Sequence, residues 1–385
     1  MTTQVLWRTG RVVGLDRAWT AVREVVVELD EPDVPASPDA PDEARVLALA
    51  YVPLVGAPEV GDRVLVTVGA LARGLGTGGY AMVAALPDRV SPDPPPSIGH
   101  LVKARYMPLQ AMVLGVDEQD SPHHAVLREA DDLAGLPVVV ADLHSALPAV
   151  VAGVRAARPA AKVAYVMTDG GALPAWFSRT LDQLRHSEWV AGSVTVGQAF
   201  GGDLEAVTLH SGLLAAHHVL HADVVVVTQG PGNLGTGTRW GFSGVACGEA
   251  VNAVATLGGR PVACLRVSDA DPRPRHRGVS HHSTTAYGRV ALLPADVVVP
   301  DLPGELGADV RQAAEQLCAP QGRHRLVLEP VDGLIEALRT SPVTLSTMGR
   351  RLDDDPAAFL AAAAAGRHAA RLLDEPTSGE SPGVS

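Results

Sequence analysis

Residues 222–258 read ADVVVVTQGPGNLGTGTRWGFSGVACGEAVNAVATLG. A run of β-branched apolar residues leads into a loop that contains six glycines between Gly230 and Gly244, and a helical pattern follows the loop. A short apolar run that ends at a glycine is typical of a strand buried on both faces. The segment therefore predicts one strand–loop–helix unit of an α/β fold.

The same alternation of strand and helix patterns continues on both sides of this segment. The other apolar runs suited to buried strands are LPVVVADL, AKVAYVMT, GSVTVGQ and RPVACLRVS, and helical patterns lie near 147–158, 174–187, 204–220 and 244–257. Connections between parallel strands place helices over the sheet, so the loops that follow the strands meet at one edge. We predict a mainly parallel sheet with flanking helices in residues 98–303, followed by a mainly helical C-terminal extension with a frayed tail in 304–385.

Residues 1–92 predict a separate, small β-domain. Stretches rich in valine and leucine, such as WRTGRVVGL and DRVLVTVGA, alternate with Gly, Pro and Asp. This pattern is typical of a small antiparallel barrel or compact sandwich, and we expect a barrel-like domain. The segment EPDVPASPDAPDE at 31–43 predicts an exposed loop, and the proline-rich SPDPPP at 91–96 predicts the linker to the α/β domain.

The composition argues against several classes of function. The net charge of −12 disfavours broad binding to phosphate backbones, so nucleic acid is not expected as the main partner. We find no apolar run long enough to span a bilayer and no signal-peptide pattern, and we therefore expect a cytoplasmic protein without a membrane partner. Cys247, Cys264 and Cys318 are far apart and predict small buried residues. A homodimer is the default assembly, because twofold oligomers are the commonest.

Polar residues follow several predicted strands, at the edge where the loops should meet. Asp142 and His144 follow one strand, Asp169 follows another, and His281 lies in a later histidine-rich segment. Carboxylates and imidazoles are the usual general acids and bases, so these four residues are our candidates for acid–base chemistry. Alternatively, such residues only form turns and cap helices.

The glycine-rich loop predicts an anion site. Its candidate ligand-binding residues are Gly230, Gly232, Asn233, Gly235 and Gly237. Glycines there could let backbone N–H groups approach an anion at the amino end of the following helix. The spacing matches G-x-G-x-x-G, but residues 236–242 separate the third glycine from the helix, so a dinucleotide site is not predicted. Ser243 lacks the flanking residues of a nucleophile elbow, and we expect it to be a helix N-cap.

Residues 268–289 concentrate basic side chains and histidines in an acidic chain. Arg273, Arg275 and Arg277 could bind the phosphate or carboxylate of a ligand. The segment also predicts a divalent metal site, for which the candidate ligands are Asp269, Asp271, His276 and either His282 or His281. If the two adjacent histidines lie in extended chain, they point to opposite faces, and only one can reach a given ion. Alternatively, the aspartates pair with the arginines and hold the loop.

Three motifs resemble a bacterial family known only as a domain of unknown function. They are His100-x-x-Lys103-x-Arg105-Tyr106-x-Pro108-x-Gln110, GPGNLGTGTRWGFSG at 230–244 and ADPRPRHRGVSHHS at 270–283. The resemblance covers most of the chain from about His100 and implies no activity, cofactor or catalytic residue. His100, Lys103 and Arg105 either close over the sheet edge or form a solvated entry to a strand.

These observations lead to two hypotheses of function. The first is an enzyme, such as a hydrolase or transferase that a metal could assist, acting on a small anionic metabolite, for example a phosphorylated one, at the carboxyl edge of the sheet. The second is a regulatory protein that binds the same ligand without turnover, which the absence of a standard catalytic motif favours.

Overall fold

A computed structural model of the protein describes residues 5–31, 44–76, 78–93, 99–319 and 322–375. The predicted exposed loop from residue 32 onward, residues 94–96 of the predicted linker and the predicted tail from residue 376 lie outside these ranges. The chain divides into two compact units. One is Met1–Ile98 with Ala104–Met112, and the other is Gly99–Lys103 with Val113–Ser385.

The first unit contains the predicted β-barrel. Its strands are β1 (Trp7–Trp19), β2 (Val22–Leu29), β3 (Arg45–Tyr51), β4 (Arg63–Thr67) and β5 (Ala81–Ala85), and its short helices are α1 (Val52–Val55) and α2 (Gly69–Ala72). The barrel closes in the order β1-β2-β3-β5-β4. All pairings in it are antiparallel except that of β3 with β5, which is parallel.

Valine side chains fill the interior of the barrel. Val25 and Val27 of β2 and Val66 of β4 are fully buried, as expected where alternate residues of a strand point inward. The long strand β1 shifts its register after Val12 and again after Leu15. Such irregularities bend a strand and help a small sheet to close.

The second unit is built on an eight-stranded sheet in which every pairing is parallel, which confirms the predicted α/β class. The short strands β6 (Leu101–Lys103) and β7 (Ala111–Val113) precede it in the chain. The sheet strands are β8 (Pro137–Val140), β9 (Val163–Thr168), β10 (Gly192–Thr195), β11 (Leu204–Glu205), β12 (Val224–Gln229), β13 (Arg260–Cys264), β16 (Asp296–Pro300) and β17 (Arg325–Glu329). They lie in the order β11-β10-β9-β12-β8-β13-β16-β17. Two small antiparallel pairs are β14 (Val267–Ser268) with β15 (Gly278–Val279) and β18 (Ser346–Thr347) with β19 (Arg350–Arg351).

Helices cover both faces of this sheet. They are α3 (His124–Glu129), α4 (Leu147–Ala157), α5 (Arg179–His186), α6 (Leu209–His218), α7 (Ala246–Thr256), α8 (His281–Thr285), α9 (Gly304–Cys318), α10 (Leu334–Arg339) and α11 (Pro356–Arg371). Val138 and Val140 of β8 pack in one core cluster with α3, α6, α7 and α9, whereas Val139 packs in the other with α4, α5, α10 and most of α11. Strands buried on both faces explain the nearly continuous apolar runs in the sequence. None of the helices among the described residues combines the length and hydrophobicity needed to cross a bilayer.

Residues 304–375 belong to the second unit, together with most of residues 98–303. β17 extends the sheet beside β16, and α11 packs against α4. Ala361, Ala363 and Ala364 of α11 are completely buried. An alanine-rich pattern predicts a helix but does not show what the helix packs against.

The strand order creates a crevice at the centre of the sheet. β12 lies between β9 and β8, so the chain leaves β8 in one direction along the sheet and leaves β12 in the other. Accordingly α4, which follows β8, and α7, which follows β12, pack on opposite faces. Ligands of open α/β sheets commonly bind where neighbouring connections diverge in this way. Asp142 and the glycine-rich loop both follow strands at this point.

Candidate functional site

Asp142 lies at the centre of a buried hydrogen-bond network beyond the carboxyl end of β8. One carboxylate oxygen accepts from Arg266 Nη1 at 3.2 Å and from His282 Nδ1 at 2.8 Å, and the other accepts from Asn233 Nδ2 at 3.2 Å. Burial alone raises the pKa of Asp142, but the hydrogen bond from His282 and the charge of Arg266 outweigh burial and leave the pKa below its ordinary value. An ionised carboxylate therefore joins three separate loops.

The glycine-rich loop after β12 folds back on itself. Gly235 pairs with Phe242, and Ser243 Oγ donates to Asn233 Oδ1 at 2.9 Å while it accepts from Leu234 N. Ser243 is therefore not the N-cap that we predicted, because its hydroxyl is used inside the loop. The same bond orients Asn233 so that its amide donates to Asp142.

The amino end of the helix after this loop faces Asp142. Gly244 lies in the helical turn Ser243–Val245, and a β-carbon at Gly244 would overlap Asp142 Oδ1. The amino end of a helix favours negative charge, and here the protein's own carboxylate occupies that place. The carboxylate of Asp142 therefore lies next to the helix end at which we predicted an anion.

Three histidines converge beside Asp142. α8 begins at His281, so His281 and His282 are successive helical residues, and their ring centroids are 4.5 Å apart. Helical residues follow one another at about 100°, and both rings can therefore face one space. The extended conformation, in which only one of the two rings could reach a given ion, is therefore not the one that the chain adopts. His276 joins them, and one nitrogen from each of the three rings lies within 4.8 Å of the others.

The surroundings of the three rings fix their positions. Phe242 stacks on His282 with a centroid distance of 3.8 Å and an interplanar angle of 8°. His276 Nδ1 forms a hydrogen bond with Ser280 Oγ at 2.7 Å.

Burial, with the charge of Arg266 as the next cause, lowers the pKa of His276 to about 3. Burial and the charge of His282 lower the pKa of His281. The imidazoles of His276 and His281 are therefore neutral at neutral pH.

A cavity of about 220 Å³ opens between these groups, and we call it the basic cavity. Its lining residues are Asn233, Gly235, Gly237, Arg266, Arg273, Arg275, His276, His281, His282 and Met348. Every titratable side chain in this described lining is basic. Arg266 pairs with Asp142 and Arg273 pairs with Asp271, but Arg275 forms no ion pair with any residue that the structure describes. The cavity therefore presents uncompensated positive charge in a chain whose net charge is −12.

The structure brings together only part of the predicted site. His281 and His282 line the basic cavity with His276, Arg273 and Arg275, and Asp142 is connected to it through its hydrogen bond with His282. Asn233, Gly235 and Gly237 line it from the glycine-rich loop, whereas Gly230 and Gly232 do not. A β-carbon at Gly230 would overlap the Ala172 carbonyl oxygen, so this glycine allows two loops to pack closely.

The predicted aspartate ligands do not join the histidines. Arg273 binds Asp271 through Nε at 2.9 Å and Nη2 at 2.8 Å, and Arg350 approaches the same carboxylate at 3.3 Å. The hydrogen bonds from Arg273 hold the pKa of Asp271 well below its usual range. Asp269 is exposed and pairs with Arg277 at 3.6 Å, and both line a separate open groove. Here the alternative that we left open, in which aspartates pair with arginines, describes the structure.

Two acid–base candidates also lie outside the basic cavity. His144 is buried, and its nitrogens bond to Tyr165 Oη at 2.9 Å and to Ser178 Oγ at 2.6 Å. Burial lowers the pKa of His144 to about 4. Asp169 accepts from Gln198 N at 2.9 Å and closes the loop after β10. Both residues have hydrogen-bond roles that explain their presence without a ligand.

Sequence reasoning missed three residues of the site. Arg266 follows β13 directly, and its place after a predicted strand was the available signal. Phe242 stacks on His282, but a single aromatic residue in a loop does not indicate a functional site from sequence alone. Met348 reaches the cavity from the turn between β18 and β19, in the segment that we had predicted to be a mainly helical extension.

Lys103, from the first resembling motif, is a buried structural residue. Its Nζ donates to Glu205 Oε2 at 2.8 Å and to the carbonyl oxygens of Thr195 and Ala199 at 3.0 and 2.7 Å. These three bonds use all the donors of the ammonium group. Lys103 therefore holds β10, β11 and the loop after β10 together.

A family model described as a protein of unknown function, DUF3866, matches residues 47–366. The chain belongs to the DUF3866 family. The resemblance found in the sequence is thus confirmed, and the DUF3866 match runs from β3 to α11 and includes all of the basic cavity. Comparison with curated proteins and with solved structures gives no match.

Proposed function

We propose that this DUF3866 protein is an enzyme that acts on a small anionic metabolite bound in the basic cavity, and that phosphorylated compounds are the best-matched class. The observation that carries the proposal is the charge of the lining. Three arginines and three histidines face one small space, and no carboxylate is among its described lining residues. Arginine presents planar pairs of N–H donors that match phosphate and carboxylate oxygens.

The volume of the basic cavity limits the size of the ligand. At about 220 Å³, the cavity is smaller than the roughly 300 to 1,000 Å³ typical of pockets for drug-sized ligands. A ligand of a few carbons with a terminal phosphate matches this space better than a dinucleotide does. The absence of a dinucleotide fingerprint in the sequence agrees with this choice.

The histidines supply groups for proton transfer. His281 lies between buried and exposed, and burial with nearby positive charge lowers its pKa, so its neutral ring can accept a proton at neutral pH. His282 is oriented by Asp142, and its position is further fixed by stacking on Phe242. A neutral base beside an arginine-bound anion is suited to a hydrolase or a transferase.

The test compares two arginines of the same loop. Arg275 lines the basic cavity without an ion pair to the described residues, whereas Arg277 pairs with Asp269 and lines a different groove. Arg275→Gln and Arg277→Gln remove the same charge only two positions apart. Loss of a charged hydrogen bond costs about 1.5 to 3 kcal/mol, so Arg275→Gln should weaken binding about 10- to 100-fold, and Arg277→Gln should change it less than about 3-fold.

The measurement uses a panel of phosphorylated and carboxylated metabolites, followed both by thermal shift and by product formation. Binding that depends on Arg275, together with turnover, supports the proposal. Stabilisation without turnover of any panel compound would instead favour the regulatory ligand-binding protein. Equal effects of the two arginine variants would contradict a ligand in this cavity.

A further inference from the structure

Each of the three histidines of the basic cavity has at least one ring nitrogen that forms no hydrogen bond with the described residues. His282 uses its Nδ1, which forms a hydrogen bond with the carboxylate of Asp142 at 2.8 Å and lies 3.3 Å from Arg266 Nη1. Its Nε2 forms no hydrogen bond with the described residues. His276 also uses Nδ1, in its bond with Ser280 Oγ, which leaves its Nε2 available.

His281 carries the strongest sign of a missing partner. Its Nε2 is shielded from solvent and has no hydrogen-bond partner among the described residues. Buried polar atoms in proteins nearly always have a partner, so the unpaired Nε2 of His281, in a ring that lies next to those of His276 and His282, needs an explanation. One ligand nitrogen from each of these three rings lies within 4.8 Å of the other two.

We infer that His276, His281 and His282 bind a divalent first-row transition metal ion, with Zn²⁺ as the best-suited ion, and that Asp142 is the positioning residue for His282. Imidazole suits zinc, copper, nickel and iron, whereas Mg²⁺ and Ca²⁺ prefer oxygen ligands that this set does not contain. A carboxylate that holds the second nitrogen of a ligating histidine is common around metals, because it fixes the orientation of the ring.

The number of ligands indicates what the metal would do. Three protein ligands leave at least one coordination position for water or for a ligand oxygen, as in catalytic zinc sites. That position opens to the basic cavity, since all three histidines line it. In this respect the inference deepens the proposed function, on which it rests for the identity of the anion bound next to the metal. With His281 as a ligand, a metal-bound water, and not the ring of His281, would be the group that transfers a proton.

The positive charge of the neighbouring arginines opposes the binding of a cation at this place, but two of these arginines are paired with carboxylates. Asp142 pairs with Arg266 at 3.2 Å, and Asp271 pairs with Arg273 at 2.8 Å. Arg275 is left, and a dication next to it strongly favours an anion between them. Metal and anion should therefore bind cooperatively, with the anion in contact with both the metal and Arg275.

The test measures zinc binding by the full chain in the absence of any candidate metabolite. Protein stripped with a chelator and titrated with zinc chloride should bind one ion per chain, and Mg²⁺ should not compete. His281→Ala removes a ligand without breaking a hydrogen bond between described residues, so the variant should fold, and its zinc affinity should fall by more than about 100-fold, beyond the effect of losing an outer partner. Asp142→Asn should lower the affinity about 10- to 100-fold and keep the stoichiometry at one.

The matched control is a second pair of adjacent histidines. His217 and His218 of α6 have ring centroids 4.5 Å apart at 70°, nearly the arrangement of His281 and His282, but no third ligand groups with them among the described residues. His217→Ala should leave zinc affinity unchanged. Cobalt substitution gives a second readout, because its visible absorption should change in His281→Ala and not in His217→Ala.

The outcomes separate this inference from the proposed function. Absence of stoichiometric zinc binding, or zinc binding that survives His281→Ala, would overturn the metal site even if anion binding depends on Arg275. Conversely, zinc binding lost in His281→Ala supports the metal site even if no metabolite of the panel is bound or converted.

Discussion

His144 and His281 were both candidates for acid–base chemistry, and their surroundings give them different roles. Both nitrogens of His144 are bonded inside the protein, whereas Nε2 of His281 has no partner among the described residues. The difference lies in the partners and not in the residue type. It leads to a prediction about stability for His144 and to one about ligand binding for His281.

His144 should make stability depend on pH. Its pKa is lowered to about 4 by burial, so the unfolded chain, with an ordinary histidine pKa of about 6.5, binds a proton that the folded chain does not. The contribution of His144 is fully present above the unfolded pKa and is lost as the pH falls towards the folded pKa. Between about pH 7 and pH 5 this loss should be about 2 kcal/mol.

The measurement compares wild type with His144→Gln by denaturant unfolding at several pH values. The variant cannot titrate, so its free energy of unfolding should fall less steeply below neutral pH than that of wild type. Zinc and metabolite binding should be unaffected, because His144 lies outside the basic cavity. Parallel pH curves for the two proteins would show that His144 is protonated equally in both states.

Single residues of the site could be predicted where their position directly after a strand placed them at the carboxyl edge of the sheet. Asp142 followed a buried apolar run, and parallel topology brings such residues to one edge. The ion-pair partners of Asp271 could not be predicted. Arg273 is close to it in the sequence, but Arg350 is distant, and both bind its carboxylate. Composition showed an excess of arginine and aspartate but not which charges neutralise one another.

At the scale of elements, α4 and α11 pack with their backbones in close contact. A β-carbon at Gly153 would overlap the Ala363 carbonyl oxygen, and one at Gly366 would overlap the Val150 carbonyl oxygen. The two glycines thus allow a reciprocal approach of the helices. Small residues along α11 extend this contact, and nearly the whole helix is buried.

Gly153→Ala should therefore destabilise the protein, although alanine normally stabilises a helix by about 1 kcal/mol relative to glycine. The added methyl group meets backbone that cannot rotate away, so we expect a loss of about 2 to 3 kcal/mol, in the range of overpacked cores. Gly288→Ala is the control, because its nearest neighbour is the flexible side chain of Leu317 at 3.4 Å. Chemical denaturation of both variants checks this, and a stabilised Gly153→Ala would disprove the close packing.

Strands and helices could be predicted where a sequence pattern was compatible with only one type of element. Buried apolar runs indicated the strands, and helical periodicity located α4, α5, α6 and α7 within a few residues. The start of α8 was missed because His281 and His282 carry no apolar periodicity, and the helix is only five residues long. The grouping of His276, His281 and His282 depends on that short element, so it could not be derived from the sequence.

At the scale of the whole molecule, all three cysteines are buried in the second unit. Cys247, Cys264 and Cys318 are 7%, 4% and 8% exposed, and burial raises the pKa of Cys264 to about 12 and that of Cys318 to about 11. A thiol reagent attacks the thiolate, so both access and ionisation oppose reaction. The native chain should react with a disulfide reagent at least about 100-fold more slowly than three free thiols.

The same reagent then reports on opening of the second unit. In denaturant, three thiols per chain should react rapidly, and the midpoint of their exposure should coincide with loss of helical circular dichroism. Rapid native reaction of one cysteine would show that its part of the fold opens locally, and Cys→Ser variants would identify which one.

The global fold was predictable as a class and not as a topology. Alternating strand and helix patterns predict a parallel sheet, but they do not show that β12 enters between β8 and β9. Nor do they show that β17 and α11 complete the same unit. Strand order and long-range packing depend on contacts between distant residues, which a local pattern does not contain.

The position of β12 also has a consequence for synthesis on the ribosome. β8 and β9 emerge first, but neither is the other's neighbour in the sheet, since both pair with Val224–Gln229. Until that segment leaves the exit tunnel, β8 has no partner on either edge, since β13 also emerges later, and β9 has one unpaired edge. Direct pairing of β8 with β9 would exclude β12. Delayed closure of the sheet centre makes this the interval in which the newborn polypeptide most needs a chaperone.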